Sequence, residues 1–404
     1  MISNSVFRVF SLGLAISCVM LTVNFHAVAH AQVSRPVVVL SPGHGQLAES
    51  GTAIDPGAVY KGLNEKDINL EVAKYTQSFL KRCPLDIYLT RDGDDHDHRL
   101  TDVDEIVNAL NPTIGVAIHT NSGGAKPSGA EGWYTVKGND DENSKKLAGI
   151  LSKSISTQFG IKDLGTKSET SNRHGGLYIH WWKTPSALIE IGYLQGDFEI
   201  LKNNQKDFGR AIAKAILEYL EISPTCADNA IQQDIYASTY FPDDSDNNTI
   251  RILNDGVAPW NVGDYELKNN GDTYGAKDSY ALPRKIVPGE IAEWQIPVKA
   301  PSNSNVYQQQ WQIYRGEETV GKRINVYIIV VPQEAKELKE NIDKQIEEIK
   351  KQGQEAIDNF IEELKKQAIE WVKKKYVDPY LPDCSSLYVL ILVACLVSVR
   401  VKRP

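Results

Sequence analysis

The stretch Ser186-Ala-Leu-Ile-Glu-Ile-Gly-Tyr-Leu194 reads as a buried β-strand, yet it carries one carboxylate, Glu190. Burying an unpaired carboxylate costs several kcal/mol, so such a group is neutralised, paired, bound to a metal or turned to solvent at a sheet edge. Working outward, four more short β-rich runs precede it: "VVVL" from Val37, "DIYLT" from Asp86, "IGVAIHT" from Ile114 and "GWYTV" from Gly132. Three amphipathic segments alternate with them, "NEKDINLEVAKYTQSFLKRC", "ENSKKLAGILSKSISTQF" and "KDFGRAIAKAILEYLE". Alternating strands and helices predict an α/β fold, a sheet flanked by helices. Asn64 is the expected N-cap of the first helix, with Asp67 three residues on, which puts Glu65 in its first turn.

The chain has 404 residues, 42% hydrophobic content and a formal charge of -8, enough for more than one core. An acidic balance without a Lys/Arg block in the folded part excludes a generic nucleic-acid binder. Arg8, the apolar run Val9 to Val23 and Ala29-His30-Ala31 before Gln32 read as an export signal over residues 1–31. Cys18 lacks the context of a lipoprotein site. Export permits a disulfide among Cys83, Cys226, Cys384 and Cys395, and Cys83 and Cys226 each follow a predicted helix. Sequence leaves a bridge between them and free thiols equally open.

His44 follows the first strand in "LSPGHG" and His119 ends the third in "VAIHTNS", positions at which a sheet presents side chains to a cleft. Two imidazoles and a carboxylate suit zinc with an open position for water, while a further carboxylate serves as general base. The ordered set "VVVLSPGHG", "DPGA", "GLNEKDINLEVA", "TRDGD", "IHTNS", "GWY" and "PSALIEIGYL" resembles the zinc-dependent N-acetylmuramoyl-L-alanine amidases over about residues 36–221. The resemblance implies that His44, Glu65 and His119 are metal ligands and Glu190 the catalytic carboxylate. It further implies a peptidoglycan substrate, cut between N-acetylmuramic acid and the L-alanine of the stem peptide. The rival expectation is a non-catalytic peptidoglycan-binding or envelope scaffold; the intact quartet favours the enzyme.

Two features depart from the family pattern. Val103 stands sixteen positions before His119, where an arginine is common, with Arg99 as a nearby substitute, and "QLAESGTAI" lengthens the loop after His44. His96 and His98, in an acidic loop, read as solvated surface rather than a second cation site. His174 and His180, with Trp181 and Trp182, read equally as cleft lining or as packing. No insertion after "GWYTV" leaves room for a self-blocking helix.

After "ISPTCADNA" the pattern turns to β-only, from about Ile231 to Val331, and predicts a β-sandwich. "NDGVAPW", "VPGEIAEWQIPVKAP" and "YQQQWQIYRG" resemble the immunoglobulin-like four-tryptophan domain, with Trp260, Trp294 and Trp311 present and Ile250 at the first tryptophan position. The resemblance implies binding or spacing, with the tryptophans in the core. From Gln333 to Lys375 apolar residues step 3-4-4, with Gly353 the weak member. That period predicts a long helix of roughly 60 Å, a stalk that would self-associate, pack on the sandwich or lie on a membrane surface, with mixed Glu and Lys favouring the first. Leu387 to Val399, followed by Arg400, Lys402 and Arg403, reads as a membrane anchor or processed sorting tail. The expected organisation is 1–31 signal peptide, 32–225 amidase domain, 228–332 immunoglobulin-like sandwich, 333–377 long helix and 384–404 tail. The expected location is the envelope, outside the cytoplasmic membrane.

Overall fold

A computed structural model describes residues 35–363 and 366, apart from 49, 52, 125–126, 137–140, 172–176, 334 and 354. The signal at 1–31, the tail at 384–404 and His174 lie outside the described residues. Among the described residues no helix is long and apolar enough to cross a membrane.

The first half runs β1 (Val37–Pro42), β2 (Val59–Tyr60), β3 (Leu63–Asn64), α1 (Glu65–Leu80), β4 (Asp86–Leu89), α2 (Val103–Ala109), β5 (Ile114–Asn121) and β6 (Ala130–Tyr134). It continues with α3 (Asp141–Phe159), β7 (Asp163–Ser168), β8 (Ser186–Tyr193), α4 (Phe198–Asn203) and α5 (Gln205–Tyr219). Six strands form one sheet in the order β4-β1-β5-β8-β6-β7. The first four run parallel, β6 runs antiparallel to β8, and β7 follows β6. All five strands expected from the pattern are present. β7 and α2 were not legible: β7 has a single large apolar residue, Leu164, and a left-handed glycine, Gly165 (φ 74°), and α2 spans two turns.

Both faces of the sheet are covered, which is why its strands read as almost continuous apolar runs. Val38, Leu40, Val116, Ile118, Ile189 and Ile191 pack under α1, α3 and α5. The alternate residues Val39, Ala117 and Leu188 pack against Val103 and Val107 of α2 and against Ile179 and Trp182. His119 and Glu190 lie two residues beyond Ala117 and Leu188, on this second face, where the apolar cover ends at the C-terminal edge of the parallel strands. Asn64 does precede α1, but its side chain makes no backbone cap and instead donates to Asp67 Oδ2 (2.8 Å).

Cys83, just past α1, is bonded to Cys226 in the turn Pro224–Ala227, closing the alternative that the sequence left open. The chain then runs β9 (Ala230–Gln232), β10 (Tyr236–Tyr240), β11 (Ser245–Asn254), β12 (Tyr265–Asn269), β13 (Ser279–Ala281), β14 (Ile291–Lys299), β15 (Asn305–Arg315) and β16 (Glu318–Val330). These form a five-stranded sheet, β10-β16-β15-β12-β13, and a three-stranded sheet, β14-β11-β9. Ile250, Ile252, Trp294 and Ile296 from one meet Leu267, Trp311, Ile313 and Val326 from the other, with Trp260 between them. The three tryptophans are core residues.

The expected stalk takes a different form. α6 (Lys336–Lys350) ends in a turn containing Gly353 (φ 101°), and helix resumes at 355–363. Ile342, Ile346, Ile349, Ile357, Phe360 and Ile361 pack against Ala237, Tyr327, Ile329 and Val331 at the five-stranded sheet. The apolar stripe is therefore spent within the chain, which removes its described part as a surface for self-association.

Candidate metal centre and active site

Three elements deliver three ligand-type side chains to one point. His44 sits on the loop after β1, Glu65 opens α1 and His119 lies near the C-terminal end of β5; their candidate donor atoms lie within 4.8 Å of one another. His44 Nε2 is 3.3 Å from Glu65 Oε2, and His119 Nδ1 is 3.1 Å from Glu65 Oε1. Among the described residues this is the one His/Cys/Asp/Glu group with such spacing.

The local backbone shows why the motif is glycine-rich. His44 itself is left-handed (φ 62°), an uncommon conformation for a non-glycine residue. A Cβ on Gly43 would fall 2.3 Å from the His119 ring, and one on Gly57 would fall 2.7 Å from His44 Cδ2 and 2.8 Å from Glu65 Oε2. Arg91, buried, ties the loop down from below. Its guanidinium donates to the carbonyls of Pro42 (3.0 Å), Gly43 (3.2 Å), Lys66 (2.8 Å) and Gly93 (3.0 Å). The backbone N–H groups of Ala58 and Thr120 donate to the two oxygens of Glu65 at 3.0 and 3.1 Å.

The lengthened loop "QLAESGTAI" folds back on itself through a Leu47–Ile54 bridge and returns Asp55 to the site. His44 Nδ1 donates to Asp55 Oδ2 at 2.7 Å, and Gly57 N–H holds the other oxygen at 2.9 Å. This is the outer-shell arrangement that orients a ligating imidazole and leaves Nε2 for a metal. Burial alone would lower the His44 pKa, but its hydrogen bonds to Glu65 and Asp55 prevail and raise it to about 9. Burial pushes Glu65 upward, yet the hydrogen bonds from His119 and His44 hold it far below the usual carboxylate range. Two nitrogens, one carboxylate oxygen and a surplus of negative charge drawing a cation inward fit zinc.

Glu190 lies beside this triad. In the sheet register His119 pairs with Glu190 and Glu190 with Glu131, so the three form a row across β5, β8 and β6. Glu190 Oε2 is buried with no hydrogen-bond partner. Burial first, then the charges of Glu65 and Glu131, raise its pKa well above the ordinary value. A carboxyl group with an unpartnered oxygen beside a three-ligand cluster is equipped to exchange a proton there.

The remaining candidates fall outside this cluster. Val103 is buried in the apolar layer under β1 and β5, and Arg99 lies against Gly51 in the lengthened loop. His98 pairs with Asp95 at 2.9 Å, closing a local turn. His180 Nδ1 donates to buried Glu169 at 2.6 Å; Trp182 is core, while Trp181 is exposed. The roles that the sequence did not single out are those of Asp55 and Arg91, which lie within the quoted motifs, and of Glu131, and each is defined by a contact with another segment of the chain.

Sheet order and flanking helices define a domain of the α/β class, with a candidate metal-binding cluster and an adjoining carboxyl group at one edge of its sheet. The family described as N-acetylmuramoyl-L-alanine amidase (Amidase_3) matches residues 38–221. The N-acetylmuramoyl-L-alanine amidase LytC of Bacillus subtilis (strain 168) is 27% identical over 190 residues, 46% of this chain and 36% of LytC. The uncharacterized protein YqiI of the same organism is 29% identical over 195 residues, 47% of this chain and 88% of YqiI. Among solved structures, the catalytic domain of CwlV, an N-acetylmuramoyl-L-alanine amidase from Bacillus (Paenibacillus) polymyxa var. colistinus, is 31% identical, with a TM-score of 0.40. That match covers 46% of this chain and 99% of that domain. Residues 38–221 thus belong to the N-acetylmuramoyl-L-alanine amidase family.

Proposed function

We propose that this chain is a zinc-dependent peptidoglycan hydrolase that cleaves the amide between N-acetylmuramic acid and the L-alanine of the stem peptide. The observation that carries the reading is the unpartnered carboxyl oxygen of Glu190 in register with His119 of the ligand triad. His44, Glu65 and His119 would hold the zinc, and Asp55 would fix the His44 tautomer that leaves Nε2 free. When bound, the metal supplies Lewis-acid polarisation of the scissile carbonyl and lowers the pKa of water toward roughly 7.

Glu190 in its carboxylate form takes a proton from the attacking water as the oxygen adds to the amide carbon. It passes that proton to the nitrogen as the C–N bond breaks, which releases a muramic carboxylate and the free amine of L-alanine. Burial supports both halves of the task, because a carboxylate of high proton affinity accepts readily and the leaving amine is more basic still.

We also infer that the protein acts outside the cytoplasmic membrane, in keeping with its disulfide and with the signal-like residues 1–31. Residues 384–404 would retain it at the envelope. We read the β-only region as an immunoglobulin-like spacing or binding module without chemistry of its own.

Digestion of purified peptidoglycan by this protein, with and without added zinc, followed by mass spectrometry, tests the reading. Stem peptides with a free L-alanine amino terminus are expected, and Glu190→Gln should slow their release by about 10²–10⁴-fold. A zinc-loaded protein that releases none of them would refute it.

A further inference from the structure

Glu131 is not needed to hold the metal, yet it is 2% exposed and adjoins Glu190 in the sheet register. Two carboxylates side by side in a largely buried site repel each other, and a fold gains nothing in stability from placing the second there. Glu131 is nonetheless fully engaged. Its Oε1 accepts from Asn121 Nδ2 and Trp133 Nε1, each at 3.1 Å, and its Oε2 accepts from Lys167 Nζ. The ammonium of Lys167 also lies over the Trp133 ring, 5.2 Å from its centroid. A flexible lysine is thereby pinned by a buried acid and an aromatic face, and its charge reaches Glu190. The Lys167 side chain remains 41% exposed, and its ammonium carries three donors, of which Glu131 takes one.

We propose that Lys167, positioned by Glu131 and Trp133, is a specificity residue that binds a carboxylate of the stem peptide during cleavage. The inference rests on the amidase reading, which identifies the substrate. The chemistry of that substrate places the anion: the lactyl carboxyl of the sugar is consumed in the scissile amide and the N-acetyl groups are neutral. A cation beside the catalytic carboxylate therefore meets negative charge on the peptide side. Glu131 then serves to engage the lysine, while the Oε2 of Glu190 stays unpartnered.

The test uses two synthetic N-acetylmuramoyl dipeptides, L-alanine followed by a residue with an uncharged side chain, that differ in whether the terminal α-carboxyl is free or amidated. Their binding to the zinc-loaded Glu190→Gln protein is measured by calorimetry, and their turnover is measured with Glu190 intact. The free carboxylate should bind about tenfold or more tightly than the amide, as charge-assisted hydrogen bonds do. Adding Lys167→Met should abolish the preference through KM, and Lys167→Arg should keep it. Equal affinity for the two peptides, or a preference that survives Lys167→Met, would overturn the inference. Retained binding preference without turnover of either peptide would instead refute the amidase reading and leave the subsite standing.

Discussion

The left-handed His44 is the residue on which the centre's response to pH turns. Without metal, Glu65 and Asp55 keep its imidazole protonated up to about pH 9, against about 6.5 for a free histidine. A folded-state pKa raised above the unfolded value stabilises the protein fully below pH 6.5, and that contribution is lost as pH rises through about 9. Zinc needs the deprotonated imidazole, so its contribution grows over the same interval. The difference in thermal midpoint between zinc-loaded and chelator-treated protein should therefore widen from pH 6 to pH 9. A difference independent of pH would show that His44 is not a ligand. That His44, Glu65 and His119 come together, with Glu190 in register beside them, was legible in the sequence because each lies in or next to a patterned element within a recognisable motif. The roles of Asp55, Arg91 and Glu131 were not, since what defines them is contact: Arg91 with Gly43, 48 positions away, and Glu131 with Lys167, 36 positions away.

Among the elements, α6 shows both the reach and the limit of periodicity. The 3-4-4 stripe named the buried residues correctly, because Ile342, Ile346, Ile349, Ile357 and Phe360 all lie inside. Spacing reports which side chains leave water and is silent on what receives them. The weak member, Gly353, was the one local sign that the helix breaks there and can follow a sheet instead of standing free. Polar contacts fix the docking: Thr239 Oγ1 donates to Asp343, and Tyr327 OH donates to Asp358 Oδ1 at 3.0 Å. Truncating Ile346 should leave a cavity against the sheet, so Ile346→Ala is expected to cost about 2–4 kcal/mol in urea unfolding. A stripe that joins copies would respond otherwise. Unchanged stability with a drop in solution mass on light scattering would restore the stalk.

At the scale of the whole chain, the Cys83–Cys226 bridge, a hydrogen bond and an ion pair tie α5 and the end of α1 to the start of the β-only region. Arg210 Nε of α5 donates to Gly256 O at 3.0 Å, and Lys206 Nζ lies 2.6 Å from Asp255 Oδ1. The pairing of the cysteines was not readable from sequence because 143 positions separate them and only the packing of α1 beside α5 brings them together. A loop of that length restrains the unfolded chain strongly, so Cys83→Ser/Cys226→Ser should lose about 2–5 kcal/mol of stability. Its effect on the centre is a separate question with a definite answer in the geometry. Cys83 lies beyond the far end of α1, whereas Glu65, at the near end, is held by Ala58 and Thr120 N–H and by the two imidazoles. Below its lowered unfolding midpoint the double variant should therefore bind zinc in the same stoichiometry as the parent, measured by metal analysis after dialysis. Loss of zinc from a variant still folded by circular dichroism would mean instead that the bridge sets the position of α1, and with it the only carboxylate of the ligand triad.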